Sequence, residues 1–452
     1  MKYIWYRPTA ILLMGITYLV SQFIDHPILP TLVSIFALIT LILFIPYLTK
    51  VPRILISTLL VLTIVLSIFG EGLVPMIMSF DENAGLLAIF IFVPLISIPI
   101  TAGKYLNSMD IIFSSYIRST KQMYSYMQLS LMGIGSVMNL GSIPIMHQLT
   151  NTGAFKKHNN LKLKAMNRGF AMAFMWSPYF ISVALVLSYF DITWLELFPY
   201  GFVLAIVGIL LGMLTQGKNS EPIQINDDSI DEEKLRKAKR KMFQLIAIIV
   251  TMTVTTILLE QFVDLSVITI VPLVAIGFST VWSIFYLSPK NFAEKFVDYT
   301  QERLPNMGNE LSLFIVAGAF GYAIIQAGAS DWVIYFLQST GISHVLILLP
   351  LIALLINVLS FVGIHPIITN TALATTFSTS PIFAGDHLIL SLGILSGWML
   401  TIMASPFSAT NLMVGNLVGS NSYRVGFKLN WKFGLLVYAA HYLLICGFYY
   451  FL

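Results

Sequence analysis

Two apolar stretches carry the residue types that can hold a small ion inside a bilayer. GIHPIITNTALATT runs from Gly363 to Thr376, and MASPFSATN from Met403 to Asn411. Each sets a proline among Ser, Thr, Asn or His where a membrane helix is expected. Proline breaks the helix, and in hydrocarbon the freed backbone groups persist only when buried in protein or lining a watery cavity. A helix restarting at such a break aims its free N–H groups and positive dipole end at an anion. Side chains of Thr369, Asn370, Thr371, Ser405, Ser408, Thr410 and Asn411 would add to those donors, with Gly363 and His365 at the bend. The same oxygens, with unwound carbonyls, suit Na⁺, which is expected near Asn370, Thr371 and Asn411. No other metal or cofactor is implied. Neither break holds Lys or Arg, so a bidentate guanidinium clamp is not expected. No Asp or Glu falls in the middle of a span assigned below, which disfavours proton-only antiport, although His365 or His147 could titrate.

Both stretches have earlier copies. GSIPIM (Gly141 to Met146) aligns without gaps on GIHPII (Gly363 to Ile368), and MWSPY (Met175 to Tyr179) aligns on MASPF (Met403 to Phe407), in the same order. The second repeat is the more polar at matched positions. The expected site is therefore asymmetric, built on the second repeat and closed from the first by Ser142 and Ser177.

The positioning elements follow from composition and charge. The chain has 452 residues, of which 57% are hydrophobic and 10% charged. Runs of about 20 apolar residues, enough to span a bilayer, recur to the end. This predicts an all-α polytopic membrane protein without a sizeable soluble domain, with no nucleic-acid partner suggested by the net charge of +4. The lone Cys446 excludes an intrachain disulfide. About eleven spans are expected. Lys and Arg in alternate loops place the protein in a cell membrane with the N-terminus cytoplasmic and the C-terminus external. Two segments begin and end on the same side and read as re-entrant hairpins, 127–153 from the inside and 346–382 from the outside. Residues 1–215 then hold helix 1 and the first repeat, 216–241 a cytoplasmic linker, and 242–452 the second repeat. Residues 103–126 and 329–343 read as interfacial helices, and the acidic stretch around Asp81 and Glu82 as an external loop. Inverted repeats with broken helices meeting at the midplane describe a secondary transporter.

Opposed hairpins, together with three motifs, resemble the ion transporter superfamily, which includes divalent anion/sodium symporters and citrate- and arsenite-type permeases. ELSLFIVAGAFGYAIIQAG (Glu310 to Gly328) is similar to that group's helix after the central linker. Thr369-Asn370-Thr371 resembles its hairpin-tip signature, and Ser405 to Asn411 its facing broken helix. The first hairpin instead carries Met146-His147-Gln148. The resemblance implies an elevator-type mechanism and a homodimer.

The expected function is secondary active transport of a small, anionic solute coupled to Na⁺ or H⁺. Alternatives are an exporter or flippase of an amphipathic or lipid-linked molecule, or an integral membrane enzyme acting on one. Paired carboxylates and a metal-binding cluster at membrane depth are absent from the sequence pattern, so no enzyme activity is expected.

Overall fold

The computed structural model describes residues 5–451 except 71, 152–154, 217–219, 224–230, 329–331, 333–334, 336–338 and 343. Most of the expected interfacial helix at 329–343 lies outside the described residues. Among the described residues the named elements are all helical, and ten segments are long and apolar enough to cross a membrane. The protein is an all-α, polytopic membrane protein. Of the eleven expected spans, the first is only 16 residues long and the fifth is divided in two.

One group of helices forms a frame. It contains α1 (Tyr6–Ser21), α2 (Ile28–Phe44), α3 (Lys50–Phe69), α4 (Leu73–Met78), α5 (Ala84–Phe92) and α6 (Ser97–Ala102). α7 (Tyr105–Tyr116) leads out of the frame to α8 (Thr120–Met138). Leu73–Ala102 is one 30-residue apolar segment interrupted at Ser79–Asn83 and again at Val93–Ile96. The acidic stretch is thus a break between short helices, held from three sides. Ser34 donates to the Met78 carbonyl, the Asn83 amide donates to the Phe314 carbonyl at 3.0 Å, and Tyr189 donates to Asn83 Oδ1 at 3.1 Å.

A second group carries both repeats. α8 turns back at Asn139–Gly141 into α9 (Ser142–Thr150), followed by α10 (Asn159–Ala173), α11 (Ile181–Tyr189) and α12 (Trp194–Gln216). The frame then resumes with α13 (Glu232–Phe262), α14 (Val267–Ile284), α15 (Pro289–Asp298) and α16 (Gly308–Gln326). The second repeat supplies α17 (Val345–Phe361), α18 (Pro366–Ser378), α19 (His387–Ala404), α20 (Ala409–Val418) and α21 (Leu429–Phe451). α8 lies along α10, and α17 along α19, so each hairpin packs on the broken helix of its own repeat. Phe174 joins the two repeats, 4.6 Å from the Phe180 ring and 6.2 Å from the Trp398 ring. The apolar stretch of His387–Val418 is 94% buried, against 17% for Glu232–Phe262, which places the broken helix at the centre and α13 at the rim.

Several boundaries differ from those read in the sequence. The first hairpin begins near Thr120 rather than 127, because Ser119 caps α8 by accepting from the Gln122 amide. α13 begins at Glu232 rather than 242, capped by Asp231, so the basic end of the expected linker is helix. The fifth span begins at Asn159 rather than 169, which draws two cations into the fold. Lys162 donates to the Thr150 carbonyl at 3.4 Å and thereby closes the end of α9. Arg168 donates to Asn430 Oδ1 at 2.8 Å and lies 3.9 Å over the Phe433 ring.

Candidate functional site

The two turns use different local chemistry. At the first, Asn139 adopts φ 52°, a left-handed conformation that asparagine tolerates better than most residues. Its Oδ1 accepts from the Leu140 amide at 2.8 Å, and Ser142 donates to its carbonyl at 2.8 Å. At the second, Gly363 sits at φ +96°, where a Cβ would be strained. His365 Nδ1 accepts from the Ile367 amide at 3.3 Å and Pro366 opens α18, so the histidine serves as a helix cap.

Prolines 178 and 406 interrupt the two central helices, and the stranded carbonyls are met by side chains. In the first repeat Ser182 donates to the Phe174 carbonyl at 2.9 Å, and the Trp194 indole to the Trp176 carbonyl at 2.9 Å. In the second, Ser408 donates to the Ile402 carbonyl at 3.1 Å, and the Asn411 amide reaches Ile402, Met403 and Ser405 carbonyls at 3.1, 3.3 and 2.8 Å. Asn167 donates to Asn411 Oδ1 at 2.5 Å. Ser177 and Ser405 each bind a carbonyl of their own hairpin. Ser142, Ser177, Ser405, Ser408 and Asn411 are therefore engaged with protein partners. Thr410 is buried beside them.

Thr369, Asn370 and Thr371 stand apart. All three are buried, in the first turns of α18, and the two hydroxyls and both amide atoms of Asn370 lack a hydrogen-bond partner. Thr375, one turn on, is in the same condition. Thr371 and Thr375 face α16, where a Cβ on Gly321 would lie 3.4 Å from the Thr371 methyl and 3.5 Å from Thr375 Oγ1. Leaving buried polar atoms unpaired costs about 1–3 kcal/mol each, so water or a ligand is their natural partner. Of the residues expected near Na⁺, Asn411 Oδ1 already accepts from Asn167, whereas Asn370 Oδ1 and Thr371 Oγ1 lack a protein partner.

A cavity lies at the other hairpin. It measures about 490 Å³ between the Asn139–Gly141 turn, Pro144, Tyr179 and Ile181 on one side and α5 and the start of α16 on the other. Its wall is largely apolar, with Phe90 and Val93 among the lining residues, and carries Arg303 and Glu310. Arg303 Nη1 donates to Ser97 Oγ at 2.8 Å. Glu310 Oε2 is buried without a partner. Among the described residues the ion pairs are Lys234–Asp231, Lys237–Glu233 and Lys295–Asp298, so the two do not neutralise each other directly. No three His, Cys, Asp or Glu side chains among the described residues gather as a metal site.

Glu82, Asn83, Tyr189, Asn167, Arg303 and Glu310 were not singled out as site residues from the sequence. Glu310 opens the ELSLFIVAGAFGYAIIQAG run, which is read for its resemblance and not for its acid, and Glu82 reads as loop. Asp81 and Glu82 fall at a break within the apolar segment Leu73–Ala102, and Glu310 is the third residue of α16.

No family model and no curated protein matches this chain. Solved structures do. The Alcanivorax borkumensis YdaH transporter, described as having an unusual topology, superposes with a TM-score of 0.56 at 13% identity, covering 88% of this chain and 98% of that one. The Neisseria gonorrhoeae protein MtrF, described as illuminating a class of antimetabolite efflux pumps, gives 0.53 at 14% identity, over 82% and 83%. The chain shares their fold. At these identities the likeness speaks to architecture, and the residues above speak for themselves.

Proposed function

We propose that the protein is a secondary active transporter of a small solute, binding it in the cavity between the first hairpin and the frame. One observation carries the reading: a 490 Å³ cavity bounded by a hairpin turn, a proline-broken helix and two frame helices. Broken helices that meet a cavity are the means by which transporters bind solutes within a membrane. Arg303 supplies a positive charge for an anionic group, and the apolar wall suits an attached hydrocarbon or aromatic body. An amphipathic anion is thus the solute of choice, which also accommodates export of such a molecule. The unpartnered oxygens of Thr369, Asn370 and Thr371 support a second polar site on the opposite hairpin, suited to Na⁺. Both hairpins and their broken helices would move together against the frame, as the resemblance to the ion transporter superfamily implies, within a homodimer in a cell membrane.

The test is uptake and counterflow in proteoliposomes, using a panel of aliphatic and aromatic carboxylates with Na⁺ or pH gradients imposed. Saturable, Arg303-dependent flux of one class is expected. Flux of none of them, in either direction, would defeat the reading.

A further inference from the structure

A groove on the frame carries chemistry that the transport reading does not use. Gln244 to Thr251 of α13 form one wall, and Phe278 to Tyr286, along and just past α14, form the other. Tyr105 of α7 lies between them. The cavity measures about 460 Å³, and no hairpin residue lines it. Eight residues of α13 give it a length of about 10 Å. Its walls are largely apolar, and Ala247, Val281 and Phe285 are exposed along it, so it opens sideways from the helices.

One end gathers hydrogen-bond donors. The Tyr105 and Tyr286 hydroxyls share a bond of 2.8 Å, which uses one of their two protons and leaves the other. The Trp282 ring meets Tyr105 edge-on at 5.5 Å, and its Nε1 is buried without a hydrogen-bond partner. Lys241 donates to the Gly103 carbonyl at 2.7 Å and holds its ammonium 5.9 Å from the Tyr105 ring. An ammonium has three donors, so two are left. No carboxylate lines the groove.

The start of α13 adds charge at the same end. EEKLRKAKRK, from Glu232 to Lys241, sets an acidic block before a basic one. The acids are matched within the first turns: Lys234 pairs with Asp231 at 3.7 Å, and Lys237 with Glu233 at 2.6 Å. Arg236, Lys239, Arg240 and Lys241 form no ion pair among the described residues. These unmatched cations stand where the helix enters its apolar stretch. Basic clusters at that level attract anionic headgroups, and an adjoining apolar groove suits a hydrocarbon chain.

We infer that the groove is a binding site for one anionic phospholipid. Its phosphate accepts from Lys241 and from the free tyrosine proton, under the field of Arg236, Lys239 and Arg240. One acyl chain lies between α13 and α14. The lipid touches the frame alone, so the site is independent of how, or whether, the hairpins move.

The test uses purified, delipidated protein titrated with phosphatidylglycerol and, separately, with phosphatidylcholine, counting bound lipid by native mass spectrometry. One phosphatidylglycerol per chain should bind at least about fivefold more tightly than phosphatidylcholine, and Lys241→Gln should weaken it about fivefold. Ala247→Trp fills the groove from an exposed position without removing charge, and should abolish that first saturable binding. Lys432→Gln, the same charge change on α21, should leave it unaltered. Melting of each variant identifies any that misfolds. Should Lys241→Gln do so, the lipid preference and Ala247→Trp still decide the matter. Equal binding of the two lipids overturns the proposal, as does undiminished phosphatidylglycerol binding in Ala247→Trp. Binding of neither lipid also overturns it, and leaves the groove to a second copy of the chain.

Discussion

Ser177 donates its hydroxyl to the carbonyl of Ser136 at 2.6 Å, and Ser405 does the same to Ser360 at 3.1 Å. Each serine precedes the proline of its break, and each oxygen also accepts the amide two residues on, from Tyr179 at 3.3 Å and Phe407 at 3.2 Å. In both copies the serine ties a broken helix to the first arm of its own hairpin. The repeat is thus preserved as a hydrogen-bonding device.

That equivalence makes the two serines comparable in energy. Ser177→Ala and Ser405→Ala each remove one buried bond to a hairpin carbonyl, a loss of about 0.5–1.5 kcal/mol. Thermal melting in nanodiscs should give similar decreases for the two. A large decrease for one alone would mean that the copies do different work.

Asn370 and Asn411 should separate cleanly. Asn411→Ala removes four buried bonds, to the Ile402, Met403 and Ser405 carbonyls and to the Asn167 amide, although Asn167 and Ser408 still reach those carbonyls. It should cost roughly 3 kcal/mol or more, and yield of folded protein should fall. Asn370→Ala removes atoms that bond nothing in the protein, so melting should hold while flux is lost. Size-exclusion profiles and flux on the same preparations decide between these outcomes.

Tyr189→Phe removes the bond from α11 to Asn83 of the frame, at 3.1 Å. A loss of about 1 kcal/mol is expected. If the hairpins move against the frame as proposed, the variant should alter the rate of counterflow more than its half-saturation. Unchanged rates would make the contact incidental.

Gly318→Leu should block the approach of the acidic break to α16. Even a Cβ there would meet the Asn83 backbone nitrogen at 3.1 Å, and backbone cannot swing aside as a side chain can. Stability should fall, whereas Gly277→Leu on α14, where a Cβ meets nothing within 4 Å, should be tolerated. The melting temperatures of the pair make the comparison.

Composition alone determined that this chain crosses a membrane many times as helix, since no soluble core could bury so much apolar sequence. The duplicated prolines marked the breaks, because a missing amide hydrogen is a local property of the chain. The Asn370 neighbourhood was legible for the same reason: a run of polar residues in hydrocarbon requires partners wherever it folds. Which of those residues had partners was decided only by tertiary structure. Asn411 and Ser405 look like Asn370 in sequence, yet neighbours in α10 and α17 engage them and leave Asn370 unpaired. Charge was the least legible signal. Lys162 and Arg168 read as cations outside the spans and are buried in α10, while Glu82 stands at a break within an apolar segment. A charge inside a membrane is tolerated only when carbonyls, rings, small residues or a bound ion surround it. Those surroundings come from helices distant in the chain, such as Gly318 against Asn83, and no local pattern announces them.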